Sequence, residues 1–349
     1  MCRESDLELL YTINFIFILK KLVLFFILLN VFFNATAQKD SLPYTLFKEK
    51  ILFYQDLSFS TTPIVISGEF KKNIQTITYI NNPRLMLSIG GTYKWLSGRL
   101  SVAIFGNMLS IKEYGKTSQF NLGFNFTVRK NYFEVDLTTA KGYAVLNSDQ
   151  WSSNKLQKLP EMNTVDLGLK TWYFHNKFLK MELLKGRIGH YNKQIMSFYA
   201  KSAFNIFNLN NSSNSIIPSQ LIDSLNTKTL SNNFSSIELS LIPGFAYVNR
   251  KNNWQYSLLI GFGGAFQLKN FNTDLTNRTF VGLAPRFDFR INGGYNTPQY
   301  FSFLSVEYDN KSVSFNEMSY YQNYISVNLT VGVRLKTLKE RKISKIKSN

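Results

Sequence analysis

The chain has 349 residues, of which 44% are hydrophobic and 15% aromatic, and its formal net charge is +18. Its basic residues are scattered, apart from a run near the C-terminus, and no helix-turn-helix, zinc-finger or RNP-like pattern accompanies them, so we expect no nucleic-acid partner. One cysteine and two histidines argue against a disulfide framework and against a transition-metal site, and we expect no cofactor.

The N-terminal segment has the form of a secretory signal. Residues 20–21 are a lysine pair, 22–33 form an almost wholly apolar core, and 35–37 are the small-x-small sequence Ala-Thr-Ala. This pattern predicts a signal peptide with an upstream extension over 1–37, followed by a periplasmic segment over 38–50. An uncleaved transmembrane anchor is the alternative, although the lysines interrupt the apolar run and the core after them is short for a span.

Apolar and polar residues alternate through most of the remaining chain. In QFNLGFNFTVRKNYFEVDLTT (119–139), two alternating stretches flank a tight turn, which predicts an antiparallel hairpin. The alternation predicts twelve strands that each cross the membrane, which we call passes, at 52–69, 84–96, 99–106, 118–129, 131–145, 164–174, 178–208, 235–249, 253–267, 280–295, 300–309 and 322–336. The first pass could break at Thr62-Pro63. The seventh pass is too long for one crossing, so its far half should project above the membrane or fold back.

Short and long connections alternate between these passes. The short ones lie at 97–99, 130–131, 175–177, 250–253 and 296–299, and the long ones near 107–118, 147–163, 209–234, 267–280 and 309–323. This predicts an all-β, transmembrane, antiparallel up-and-down barrel of about twelve strands over 51–336 in a bacterial outer membrane, with periplasmic turns, extracellular loops and a basic tail over 337–349. A soluble β-sandwich is the alternative, and its outer face should be richly charged.

The two faces of the predicted strands carry different side chains. Aromatic residues beside the short turns are candidates for the membrane-interface girdle: Tyr93, Trp95, Tyr132, Tyr173, Trp254, Tyr256, Tyr295 and Tyr300. Charged residues on the polar face are candidates for the lumen lining, either as a space-filling ion-pair network or as a pore surface that sets ion preference: Lys94, Arg129, Glu134, Asp136, Asp166, Lys170, Glu238, Arg286, Asp288, Arg290 and Arg334.

Catalytic residues are scarce. His175 is predicted in a short periplasmic turn, and His190 towards the extracellular side near Ser197 and Ser202, where it could act as the base of a nucleophile pair. A histidine at the base of a loop is the plainer interpretation. The Asn/Ser-rich loop 209–234 could fold inward or meet an external ligand, and a solvated loop is the default expectation.

Three short motifs resemble a known family. LSIGGTYKWLSGRLSVAI (87–104), YAKSAFNIF (199–207) and FRINGGYN (289–296) are similar to segments of the domain-of-unknown-function 4421 family of bacterial envelope proteins. In the second motif, Phe204-Asn205 stands where the family has Gly-Ser. The resemblance spans roughly 45–336; it implies a Gram-negative outer-membrane barrel and supplies no activity.

The predicted role is that of a narrow passive channel or a structural envelope barrel. An outer-leaflet lipid-modifying enzyme that uses His190, and a surface-binding barrel that uses loop 209–234, are the alternatives. Expected partners are outer-membrane lipids, the barrel-assembly machinery during insertion, and small solutes or ions. The sequence implies no oligomeric state.

Overall fold

The computed structural model describes residues 42–47, 51–93, 96–152, 156–212, 215–223, 225–273, 277–315 and 318–335. The predicted signal peptide and basic tail lie outside the described residues. No helix among the described residues is long and apolar enough to cross a membrane. The elements are β1 (Tyr44–Leu46), β2 (Ile51–Thr61), β3 (Ile64–Phe70), β4 (Ile74–Asn81), β5 (Arg84–Tyr93), β6 (Leu96–Asn107), α1 (Ile111–Tyr114), β7 (Ser118–Val128), β8 (Asn131–Val145), β9 (Gln157–Phe174), α2 (Met181–Leu184), β10 (Gly189–Tyr191), β11 (Ile195–Asn211), β12 (Asn233–Lys251), β13 (Trp254–Asn272), β14 (Asn277–Asn296), β15 (Tyr300–Phe315) and β16 (Met318–Leu335).

Twelve antiparallel strands form a closed ring. The order is β2-β5-β6-β7-β8-β9-β11-β12-β13-β14-β15-β16, and β16 returns to β2 with Leu335 opposite Ile51. The prediction of a barrel with about twelve strands is confirmed. Because the number is even, both ends of the barrel sequence lie at one end, which we call the terminal end, and the opposite end is the distal end.

The alternation of the sequence becomes the two faces of the wall. Phe124 points outward, whereas its neighbour Asn125 and the nearby Glu134 are buried inside the barrel. Successive side chains of a strand point to opposite faces, so one alternating segment supplies both surfaces. The outer face carries a continuous band of large apolar side chains that includes Leu57, Ile89, Leu100, Phe124, Leu169, Leu239, Phe262, Leu304 and Leu329.

The ring narrows from twelve strands to ten at the distal end. There, β3 pairs with β16 (Met318 opposite Gly68) and β4 pairs with β8 (Tyr79 opposite Val145). At the distal end, the two strands of the β3–β4 hairpin thus take the place of the four strands β2, β5, β6 and β7, which belong to the ring nearer the terminal end. Prolines follow Thr62 and Asn82 at the two transitions, as expected where a strand leaves its ladder, since proline donates no backbone hydrogen bond.

The tip of the β6–β7 hairpin is anchored below the distal rim. The buried Asn82 side chain donates to the carbonyls of Leu109 and Gly115 at 3.0 and 2.9 Å and accepts from the Leu109 amide at 2.9 Å. The connection predicted at 107–118 therefore ends below the rim of the distal end. A local pattern could not reveal this, because Asn82 belongs to a distant part of the sequence.

Several predicted connections also differ in length. The strands continue well past the predicted passes, so that β13 and β14 are separated only by residues 273–276, and β15 and β16 only by 316–317. In contrast, the turn predicted at 175–177 is the start of a long connection that ends at residue 194, directly before β11. The predicted seventh pass, 178–208, thus contains a non-wall segment followed by β11.

Candidate functional site

The connection between β9 and β11, residues 175–194, folds into the lumen from the terminal end, and we call it the plug. Its helix α2 buries Met181, Leu183 and Leu184, which pack in one apolar cluster with wall residues such as Trp172 and Leu259. The strand β10 pairs with β1, with His190 opposite Thr45. The plug therefore closes the terminal end with an ordered, apolar base.

Charged side chains at the inner end of the plug bind the barrel wall. Lys185 Nζ lies 2.9 Å from Glu134 Oε2 and donates to Tyr132 Oη at 3.1 Å. The Arg187 guanidinium donates to Asn125 Oδ1 at 3.2 Å and lies 4.6 Å from the centre of the Tyr54 ring. These contacts fix the tip of the plug against strands on one side of the barrel.

Arg334, near the end of β16, also holds the plug. Its Nε donates to the Arg187 carbonyl at 3.0 Å, and its Nη2 donates to the Gly186 carbonyl and to Asn296 Oδ1, the latter at 2.9 Å. The guanidinium lies 4.6 Å from the ring centre of Phe47. A planar five-donor group suits this position, because it satisfies adjacent backbone carbonyls that face it together.

The distal end is closed by a different kind of structure, the distal cap, residues 212–232. Ile216, Ile217 and Leu221 are fully buried among apolar side chains of the ten-stranded rim. Tyr79 Oη donates to the Ile216 carbonyl at 2.9 Å. The default expectation of a solvated loop at 209–234 is wrong: its ends belong to β11 and β12, and the part between them folds inward.

A polar cavity of about 130 Å³ lies between the plug and the distal cap. That volume has room for several water molecules or a small ion but is below the size of a typical organic-ligand pocket. Lys185 and Arg187 of the plug form part of its lining, together with wall residues of both charges. We call this cavity the chamber. Its charged wall residues are Asp56, Arg99, Glu134, Asp136, Asp166, Lys170, Glu307, Asp309 and Lys311.

Charges of opposite sign alternate around the chamber. Arg99 lies 3.8 Å from Asp56 and 3.9 Å from Asp136, and Lys170 lies 3.5 Å from Asp136. Glu307 pairs with Arg290 at 3.0 Å. The Arg99 contacts are longer than hydrogen bonds, so this part of the wall is held mainly by unspecific charge attraction.

The other side of the lumen is filled by a tighter network. Lys201 Nζ lies 2.6 Å from Asp288 Oδ1 and 3.5 Å from Asp309 Oδ2, and Arg286 pairs with Asp309 at 2.7 Å and also with Glu238. Lys201 and Arg286 are almost completely buried. Paired buried charges are tolerated where each has a partner, and this network occupies space that an open pore would need.

The structure distributes the predicted lumen residues in three ways. Arg129 lies in the exposed β7–β8 turn with φ 56°, and not in the lumen, because the hairpin turn falls at that position. Arg334 lies at the terminal end against the plug, and Lys94 lies outside the described residues. The remaining predicted residues face the interior: Glu134, Asp136, Asp166, Lys170, Glu238, Arg286, Asp288 and Arg290.

The predicted aromatic girdle needs one correction. Tyr132 is buried inside the barrel and accepts a hydrogen bond from Lys185, because the period-2 alternation places it on the same face as Glu134. Trp95 lies outside the described residues. The other predicted girdle residues are exposed on the outer face near the terminal end: Tyr93, Tyr173, Trp254, Tyr256, Tyr295 and Tyr300.

His190 does not lie on the extracellular side as predicted. It lies in β10 at the terminal end, with its ring centre 5.3 Å from that of Phe47. Burial lowers the pKa of His190 to about 4, and the nearby Arg250 and Arg334 act in the same direction. A histidine at this end is remote from outer-leaflet lipid, which removes the geometric basis of the lipid-enzyme prediction.

Sequence reasoning missed the residues that close the barrel. Lys185 and Arg187 are not among the predicted site residues, because the sequence pattern predicts a wall strand over 178–208. Asp56 could have been found, because it shares one face of an alternating strand with Ser58 and Ser60. No group of three or more His, Cys, Asp or Glu residues that could hold a metal ion occurs in the described part of the chain.

The closed ring and its apolar outer band are features of a bacterial outer-membrane protein, because a closed barrel pairs every backbone group within the bilayer. The family model described as "Domain of unknown function (DUF4421)" matches residues 47–335. The chain belongs to the DUF4421 family. No curated protein sequence matches it significantly.

Solved structures similar to this DUF4421 protein are outer-membrane barrels. The outer membrane protease OmpT from Escherichia coli has 8% identity and a TM-score of 0.39, over 85% of this chain and 99% of that one. The translocator domain of the autotransporter NalP from Neisseria meningitidis has 8% identity and a TM-score of 0.42, over 81% and 88%. The Pseudomonas putida toluene transporter TodX has 8% identity and a TM-score of 0.27, over 83% and 90%. At these scores the likeness carries no functional argument.

Proposed function

We propose that this protein is a gated outer-membrane conduit for small polar solutes or ions, closed at rest and opened when the plug leaves the lumen. The observation that carries the proposal is the chamber, a polar cavity of about 130 Å³ that lies between two closures. A barrel with a purely structural role could fill this space with side chains, as it does around Lys201 and Arg286.

The two closures differ in a way that favours movement of the plug. The distal cap buries Ile216, Ile217 and Leu221 among apolar side chains of the ten-stranded rim, and its Thr229 and Ser231 are buried as well. The tip of the plug is instead held by polar contacts of Lys185, Arg187 and Arg334. The tip can exchange its polar contacts for water or for another partner, whereas apolar side chains, in the distal cap or in helix α2 of the plug, lose their burial on exposure. The proposed opening therefore begins at the tip of the plug.

The size and polarity of the chamber limit what could pass. A cavity of about 130 Å³ excludes large substrates, and the charged lining disfavours apolar ones. Basic and acidic side chains are interspersed, so the proposed solutes are small and hydrophilic. The proposed conduit differs from a passive channel in that the plug and the distal cap occupy the two ends of the lumen.

Conductance with a reversible restraint tests the proposal. A variant with Lys185→Cys and Glu134→Cys places two thiols where the plug meets the wall, and a short bis-maleimide would join them. We expect brief, discrete conductance steps in a planar bilayer before cross-linking and none afterwards. Lys185→Cys alone, treated with the same reagent, is the control and should keep its steps.

Two results would count against a conduit. Steps that persist after complete cross-linking would show that ions do not pass by way of the plug. Silence of the wild-type protein and of both variants under all voltages would favour a permanently closed structural barrel.

A further inference from the structure

Asp56 is a buried carboxylate with one oxygen atom that makes no hydrogen bond to the described residues. Only about 1% of its surface is exposed. Its Oδ1 has no hydrogen-bond partner among the described residues, and its Oδ2 lies 3.8 Å from Arg99, which is also shared with Asp136. A buried carboxylate in this state is costly unless a further positive group or hydrogen-bond donor reaches it.

The residues around Asp56 offer oxygen atoms. The strand pairing sets Asp56 opposite Ser88 and Thr330, and Ser88 in turn opposite Ser101, whose Oγ lies 2.7 Å from that of Ser88. Ser101 is opposite Asn121 on the next strand. A row of small oxygen-bearing side chains therefore crosses neighbouring strands at the height of Asp56.

Two further acceptors on β7 lack partners. Gln119 Oε1 and Asn121 Oδ1 are buried without a hydrogen-bond partner among the described residues, and both side chains line the chamber with Asp56. The Gln119 amide nitrogen donates to Ser60 Oγ at 2.9 Å, which leaves its oxygen directed elsewhere. All the unpartnered atoms named on this wall are acceptors, so a ligand that matches them must supply positive charge or donors.

We propose that the chamber holds a monovalent cation beside Asp56, either an alkali ion or a primary ammonium group. Carboxylate, amide and hydroxyl oxygens are suited to hard cations. A single carboxylate with neutral oxygens matches one positive charge, whereas divalent-ion sites usually draw on more carboxylates. The site shares the chamber with the proposed conduit, but it does not require the plug to open.

Thermal stability in different salts tests this site without relying on conduction. The protein is refolded in sodium, potassium, ammonium or choline chloride at equal ionic strength, so that the ion is present when the barrel closes. Choline carries the same charge but has no N–H donor. We expect Tm to be higher in at least one of the first three salts than in choline, by roughly 2–4 °C, through preferential binding to the folded state.

Matched variants locate the effect. Asp56→Asn keeps the shape of the side chain and removes its charge, and we expect it to abolish the difference between salts. Asp149→Asn, at an exposed distal position, should leave the difference intact. A gain in Tm with sodium or potassium alone would assign an alkali ion, and a gain with ammonium alone would assign an ammonium group.

Crystals grown with thallium(I) would show the site directly. The proposal requires an anomalous peak beside Asp56 in the wild-type protein and none in Asp56→Asn. It is overturned if Tm is equal in all four salts, or if Asp56→Asn responds to the cations as the wild type does. A cation effect in a protein that never conducts would support this site and refute the conduit, so the two proposals can fail separately.

Discussion

Replacing Arg334 with glutamine should release the plug while the strand pairing of the barrel wall is kept. The guanidinium donates to the carbonyls of Arg187 and Gly186 in the plug. It also donates to the side chain of Asn296 and to the carbonyls of Thr297 and Tyr300 in the wall. Glutamine is shorter and has one amide group, so it cannot reach all of these acceptors. The buried plug carbonyls would then lose their donors, while the strand pairing of β16 with its neighbours would remain.

The size of the effect follows from the number of bonds lost. A hydrogen bond to a charged group contributes about 1.5–3 kcal/mol, and removal of its donor leaves a buried acceptor unsatisfied. Two such bonds reach the plug backbone. Because the desolvation of the buried arginine offsets part of their value, we expect docking of the plug to weaken by about 2–3 kcal/mol. That corresponds to a roughly 30- to 150-fold higher open population.

Two assays report on this equilibrium. Hydrogen exchange of the amides in 181–191 should become faster by about the same factor, and the open probability in a planar bilayer should rise. Arg278→Gln removes an exposed arginine far from the plug and serves as the control. An Arg334→Gln protein with unchanged exchange and unchanged open probability would show that Arg334 does not hold the plug.

Two pairs of substitutions and one titration test the distal cap, the lumen packing and the half-buried His190. Leu221→Ala should destabilise the cap by about 2–4 kcal/mol and expose it to proteolysis, whereas Leu225→Ala, at a position 93% exposed, should have almost no effect; equal cleavage of both would contradict the buried cap. Gly294→Ala should lower the denaturant midpoint, because a Cβ there would clash with the backbone oxygen of Ser302 on the neighbouring strand, while the adjacent Gly293→Ala meets no atom within 4 Å and should not. His190 should titrate near pH 4 in a histidine-selective NMR experiment, since burial and two nearby arginines disfavour its charged form, and a midpoint near 6.5 would contradict its placement.

The wall was predictable from sequence because its rule is local. Alternation with period 2 places Phe124 on the outer face and Asn125 and Glu134 on the inner face, whatever the rest of the chain does. Counting the segments that alternate in this way gives the number of strands. The same rule, applied strictly, would have placed Tyr132 inside. Tyr132 lies beside a turn, as girdle residues do, but its position in the alternation, two residues before Glu134, decides the face on which it lies.

The closures were not predictable in this way. The plug sequence from His175 to Lys193 contains apolar and charged residues that could extend a strand, and its true conformation depends on partners such as Glu134 and Arg334 that are remote in sequence. The distal cap has a composition typical of a solvated loop, although a few apolar residues, Ile216, Ile217 and Leu221, fill the rim. Tertiary packing decided both cases, and the local pattern could not show it.

The narrowing of the ring from twelve strands to ten also depends on contacts between residues that are distant in sequence. The sequence predicts a possible break at Thr62-Pro63, but the local pattern does not show which strands β3 and β4 pair with. The β3–β4 hairpin reaches β8 only because the β6–β7 hairpin ends lower, where Asn82 binds its tip.

Accessibility of the chamber from each side of the membrane tests the account most directly. Thr138 lines the chamber on β8 and makes no contact with the plug that we have described, so Thr138→Cys places a thiol between the two closures. A charged, membrane-impermeant thiol reagent is added to one side of vesicles with the barrel in one orientation. The account predicts slow labelling from the terminal side, which Arg334→Gln accelerates, and no labelling from the distal side. Rapid labelling of the wild-type background from the distal side would contradict it.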